Sequence, residues 1–327
     1  MSPIRTASPF RSYVALAKEG RWGIVSIVVG VVLTLALWLV VAFGVIIGIS
    51  IVAKMRAGTG FHSISDLPAL AGDRRMGPIL LLASVAAIWI VTPAVLWIVH
   101  KRALPTLFGR NRRIDMAQLL RAFTACGLVT GLVFLLVPDP SNLHATRSAL
   151  TLAGWAAALL PMAGLILLQS SAEELLFRGY LVQLLANRFT SPLIWAALPL
   201  ALFTASHWDP AALPHMNALV LGSVFLFAVA ATVLLVATGN LGACIGYHAV
   251  NNMFAFLVIS PEGSGDGFAL FTYPSLSDPV WTVSDAMFFL GIEVARTGLI
   301  LLLLLHGRSP LRIRRRLDTS CAPVPVE

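Results

Sequence analysis

Of 327 residues, 58% are hydrophobic and only 12% are charged, about half the charged share of a soluble domain. That balance excludes a disordered chain, a fibrous repeat and an ordinary water-soluble enzyme; it fits an all-α, polytopic bundle of transmembrane helices. The net charge of +8 sits in short loops and tails between apolar runs, so it is expected to set membrane orientation rather than to bind nucleic acid.

The first segment, 1–23, carries Arg5, Arg11, Lys18 and Arg21 and is expected on the cytoplasmic side. The apolar run that follows, Gly23 to Val52, is too long for a signal-peptide core of about 7–15 residues and reads as a retained span. About eight spans are expected in all, over 24–52, 79–99, 118–137, 149–187, 192–208, 217–238, 241–259 and 284–305. The fourth exceeds the roughly 20 residues of an ordinary span. It is expected either as one helix kinked near Pro161 or as two pieces joined around Gln169 to Ser171. The chain thus divides into the N-terminal segment, three N-terminal helices (24–148), a helical core (149–259), and a last helix with a basic tail (260–327).

The basic residues give an orientation. Lys101, Arg102, Arg110, Arg112 and Arg113 mark the 100–117 loop as inside, as do Arg308, Arg312, Arg314, Arg315 and Arg316 in the tail. The 260–283 loop holds Glu262, Asp266 and Asp278 without a Lys or Arg and is expected outside. Both termini inside require an even number of spans. The exception is the 53–78 loop, where Lys54, Arg56, Arg74 and Arg75 would lie outside. Three scattered cysteines, Cys126, Cys244 and Cys321, suggest neither a disulfide framework nor a cysteine metal site. Cys126 and Cys244 are expected to pack as small apolar groups.

The informative residues are the ionisable ones inside apolar runs, since each costs a few kcal/mol or more to place there. They are Glu173, Glu174, Arg178, His207 and His248, and separately Glu293 with Arg296. Glu174 and Arg178 are spaced i,i+4 and can form a salt bridge on one helix face. Glu173 is turned about 100° away and can face another helix. Phe203 and His207 are again i,i+4, as are His248 and Asn252. A turn between Asn187 and Pro192 would leave Glu173 and His207 14 and 15 residues from it. Both would then lie roughly 22 Å deep at 1.5 Å per residue. Glu293 and Arg296, at i,i+3, read as a structural pair. Two carboxylates, two histidines and an asparagine converging in lipid point to function rather than packing.

These residues spell three motifs. Glu173-Glu174-Leu175-Leu176-Phe177-Arg178, followed by Gly179 and Tyr180, is E-E-x-x-x-R; Phe203 to His207 is F-x-x-x-H; His248 to Asn252 is H-x-x-x-N. Together, in this order and on apolar helices, they resemble the signature of the CPBP family of intramembrane proteases, which includes the CAAX prenyl endopeptidases and bacterial abortive-infection proteins. The resemblance covers about 149–259. It implies a membrane endopeptidase of about eight helices acting on a peptide or lipidated protein substrate. In it Glu173 activates a water that His207 helps to position, while His248 and Asn252 form an oxyanion hole. A carboxylate general base and an amide oxyanion donor suit that chemistry.

A metal-independent mechanism is expected. Zinc held by Glu173, His207 and His248 is the alternative, since two histidines and a glutamate form a known catalytic zinc set; the zincin H-E-x-x-H is absent. A rhomboid-type G-x-S-G is missing too. Gly263-Ser264-Gly265-Asp266 matches the G-x-G-D of aspartyl intramembrane proteases but lies in a polar loop without a Tyr-Asp partner, and reads as a turn. The rival reading is a non-catalytic transporter or immunity-type scaffold with a polar core, although no internal repeat of the transporter kind is visible. Cys321 stands seventh from the end, so the chain is not expected to be a CAAX substrate itself.

Overall fold

The computed structural model describes residues 9–61, 63–136, 144–263 and 265–313. Arg5, His62, Ser264, Arg314, Arg315, Arg316 and Cys321 lie outside them. The architecture is an all-α bundle. In chain order its helices are α1 (Pro9–Ala15), α2 (Ile24–Arg56), α3 (Leu67–Ala71), α4 (Met76–Ala86), α5 (Ile88–Ile98) and α6 (Met116–Leu136). Then come α7 (Leu152–Glu174), α8 (Val182–Arg188), α9 (Leu198–Ala205), α10 (Pro214–Thr238), α11 (Gly242–Met253) and α12 (Val283–Leu305).

All eight apolar runs become helical. Among the described residues, six helices are long and apolar enough to cross a membrane, while Leu193–Ala205 is shorter. α11 has only 12 residues before the backbone widens into a π segment, Phe254–Val258. The long fourth run is one unbroken helical stretch, Leu152–Arg188. Pro161 lies inside it, and a π segment at Leu175–Leu181 separates α7 from α8. A third π segment, Leu193–Ala197, precedes α9. Each wide turn adjoins an element carrying one of the three motifs, where a π segment re-aims side chains relative to a regular helix.

Local chemistry sets the helix ends. Thr151 caps α7 by accepting the Gly154 N–H, and Thr282 with Asp285 forms a capping box at the start of α12. α10 stops at Gly239, whose φ of 62° is left-handed. A Cβ there would overlap the Pro9 carbonyl, so only glycine lets α1 approach.

One end of the bundle gathers the N-terminal segment, the 100–117 loop and the residues after α12. Arg21 N–H donates to the His100 carbonyl, Arg112 pairs with Glu19, and Arg121 donates to the Arg312 carbonyl. Tyr13 and Gln183 tie this end together: the Tyr13 hydroxyl donates to Leu107 O, and the Gln183 amide donates to the carbonyls of Tyr13 and Thr106. At the opposite end a small sheet forms from β1 (Thr146–Arg147), β2 (Ile259–Pro261) and β3 (Phe271–Tyr273), in the order β1-β3-β2.

At the second end, one of the four basic residues that broke the orientation pattern, Arg74, meets an acidic partner. Arg74 donates through Nε and Nη2 to both oxygens of Asp266, at 2.8 and 2.5 Å. The Asp266 side chain is fully buried. Part of the positive charge of the 53–78 loop is therefore neutralised by the acidic loop beside it. Asp266 is a fixed partner in an ion pair rather than part of a bare turn. Cys126 and Cys244 are buried free thiols, as expected.

Candidate active site

α7 ends on Glu173 and Glu174, and α11 passes beside it. Arg178, one turn on, donates from Nη1 to Glu174 Oε1 at 2.9 Å. His248 Nδ1 reaches the same oxygen at 2.8 Å. Because a carboxylate only accepts, Nδ1 carries the proton and Glu174 fixes the ring. The other ring nitrogen, Nε2, then faces Glu173 Oε2 at 3.4 Å. The two adjacent carboxylates thus diverge around one histidine. Glu174 is completely buried, while Glu173 keeps 15% side-chain exposure.

Phe203 joins the second motif to the first. The Arg178 guanidinium lies over its ring, 4.6 Å from the centroid, a cation–π contact that offsets part of the cost of burying the charge. The same ring is 5.0 Å from that of His207 and 6.0 Å from that of His248. His207 Nδ1 is 2.8 Å from the Phe203 carbonyl. A carbonyl cannot donate, so Nδ1 is protonated and Nε2 of neutral His207 is left as an acceptor.

Asn252, one turn after His248, donates from Nδ2 to Gln169 Oε1 at 2.9 Å, with Ser170 Oγ at 3.4 Å. Both acceptors lie on α7, the Gln169 bond being the shorter, and together they set the orientation of the carboxamide.

A cavity of about 170 Å³ lies among α9, α10, α11 and α12, lined by His207, His248 and Asn252 together with Phe227, Asn251, Glu293 and Arg296. All six expected residues are therefore gathered in one region, with His207 joined through aromatic packing and the cavity rather than by a polar bond to the carboxylates. Glu293 and Arg296 form the expected i,i+3 ion pair, and both also line the cavity. Gln169, Ser170, Asn251 and Phe227 were not singled out from sequence. The polar run Gln169-Ser170-Ser171 immediately before Glu173, and the doubled Asn251-Asn252, were the available signals. Among the described residues, no three His, Cys, Asp or Glu side chains are arranged to hold a metal ion.

The family model described as type II CAAX prenyl endopeptidase Rce1-like matches residues 154–254. The chain carries an Rce1-like domain. That match spans α7 to the end of α11 and contains all three motifs. The chain is also 28% identical over 238 residues to an uncharacterized protein of Bacillus subtilis (strain 168), YyaK, covering 70% of this chain and 75% of that one. No solved structure matches it. At the level of the family, the Rce1-like domain is that of a membrane-embedded endopeptidase, and the apolar helices around it make the chain a multi-pass integral membrane protein.

Proposed function

We propose that the chain hydrolyses a peptide bond near the C terminus of a membrane-associated substrate of the prenylated CAAX kind, with Glu173 as general base and without a metal. The observation that carries the reading is the arrangement around His248, which is held on one side by the buried Glu174–Arg178 pair and faces the more open Glu173 on the other. Two carboxylates in sequence have different surroundings, and so can take different roles.

In this mechanism Glu173 takes a proton from water, and the water oxygen adds to the scissile carbonyl carbon. His207 Nε2 accepts a hydrogen bond from that water and orients it. The oxyanion that forms accepts from Asn252 Nδ2–H, in place of its long contact to Ser170 Oγ, and, with His248 as the doubly protonated imidazolium, from His248 Nε2–H. Glu173 then returns its proton to the leaving nitrogen as the C–N bond breaks. Each oxyanion donor of this type is worth about 2.7–4 kcal/mol. Glu174, Arg178 and Gln169 act by holding these groups in place.

The N terminus and the tail are placed on the cytoplasmic side, following the basic residues of the 100–117 loop. Detergent-purified chain incubated with an internally quenched farnesylated CAAX peptide tests the reading, with the products identified by mass. Release of the terminal tripeptide is expected; an intact peptide would reject this substrate class.

A further inference from the structure

The cavity has a wall that the three motifs do not supply. From α12, Arg296 donates through Nε and Nη2 to the two oxygens of Glu293, at 2.8 and 2.6 Å. A structural ion pair would be complete with those two bonds. Arg296 makes two more, each to a different helix: Nη1 to Thr130 Oγ1 on α6, and Nη2 to Asn251 Oδ1 on α11, both at 2.9 Å. Arg296 is 7% exposed, so in lipid its charge is costly without this full set of partners.

The bond to Asn251 lands next to the oxyanion donor. Asn252 is gripped by Gln169 from α7, and its neighbour Asn251 is gripped by Arg296 from α12. Regular α geometry ends at Met253, where the π segment begins. The last α turn of α11 is thus held laterally, between two helices, at the point where its own ladder changes pitch. Arg296 is poorly suited to bind a substrate carboxylate itself, since four of its five donors are engaged and Glu293 neutralises it.

We infer that Arg296, neutralised by Glu293, is a positioning residue for the reaction: through Asn251 it fixes the turn of α11 that presents Asn252 to the cavity. This rests on the proposed oxyanion role of Asn252.

The test is a double-mutant cycle on the full-length, detergent-purified chain, with the quenched farnesyl peptide as substrate and kcat, KM and thermal midpoint recorded together. Asn252→Ala should lower kcat by about 10²–10³-fold. Arg296→Gln should lower kcat at least about tenfold with KM nearly unchanged, and Arg296→Lys should recover part of the loss. The Arg296→Gln, Asn252→Ala double variant should be about as slow as Asn252→Ala alone, because residues acting as a unit are not additive. Should Arg296→Gln fail to fold with Glu293 unpaired, the cycle is run with Glu293→Gln in the same chain, removing both charges. Losses that multiply, or a lower thermal midpoint with normal kcat, overturn the inference alone. Asn252→Ala with full kcat, or no cleavage by the unaltered chain, overturns the reading beneath it and the inference with it.

Discussion

His248 and Glu174, 74 residues apart in the chain, meet through Nδ1 and Oε1 at 2.8 Å inside the bundle. Arg178 shares that oxygen. The contact decides which nitrogen of His248 is free and turns it toward Glu173. It links the first and third motifs without any intervening group.

Arg178 should be needed for folding as well as for activity. Arg178→Ala leaves Glu174 buried with its main counter-charge gone, and breaking a buried pair in this way costs about 3–5 kcal/mol. Lower yield, a lower thermal midpoint and weak cleavage are expected together. A well-folded and fully active Arg178→Ala chain would remove it from the frame of the site.

Asn252 should matter chiefly in the transition state. Asn252→Ala is expected to lower kcat by about 10²–10³-fold with little change in KM. Asn252→Asp should be at least as damaging at neutral pH, because it sets a negative charge against the developing oxyanion. Acidification should restore part of its activity as the carboxyl protonates and can donate. An Asp variant that works normally at pH 7 would contradict the oxyanion role.

The eight apolar segments were legible from hydropathy, and the pairing of Glu174 with Arg178 from i,i+4 spacing alone. The hidden parts have physical reasons. α12 is apolar nearly all round, so its sequence does not say whether Glu293 and Arg296 face a cavity or a neighbouring helix. The wide turns at Leu175–Leu181 and Phe254–Val258 are set by packing, and no residue type announces them. Arg74 and Asp266 are separated by 192 residues, and charge counting assigned them to loops without showing that the loops touch. Gln169 was visible as a polar interruption of an apolar helix, but its partner Asn252 is a tertiary contact.

Gly30 should be intolerant of any side chain. It lies on α2 where the Tyr180 hydroxyl meets His100 Nε2 at 2.7 Å, and a Cβ would overlap both groups. Overpacking of this kind typically costs about 1–3 kcal/mol. Gly30→Ala should lower the thermal midpoint, and any activity loss should follow the loss of folded protein. An unchanged midpoint would mean that α2 can move away from Tyr180 freely.

Thorough chelation should leave cleavage unchanged, and elemental analysis should find well under one zinc per chain. If zinc is held by Glu173, His207 and His248 instead, chelation should silence the enzyme and added zinc should restore it. The second result would replace the mechanism and keep the residues.

The central claim is that Glu173, and not its buried neighbour, performs the proton transfer. The most direct measurement is the single-turnover cleavage rate of the quenched farnesyl peptide by Glu173→Ala, with its thermal midpoint determined on the same preparation. Glu173 makes one long contact to His248 and keeps partial exposure, so the midpoint should stay close to that of the unaltered chain. The rate should fall by about 10²–10⁴-fold, the usual contribution of a general base. A folded Glu173→Ala chain that still cleaves within about tenfold of the normal rate would contradict the account.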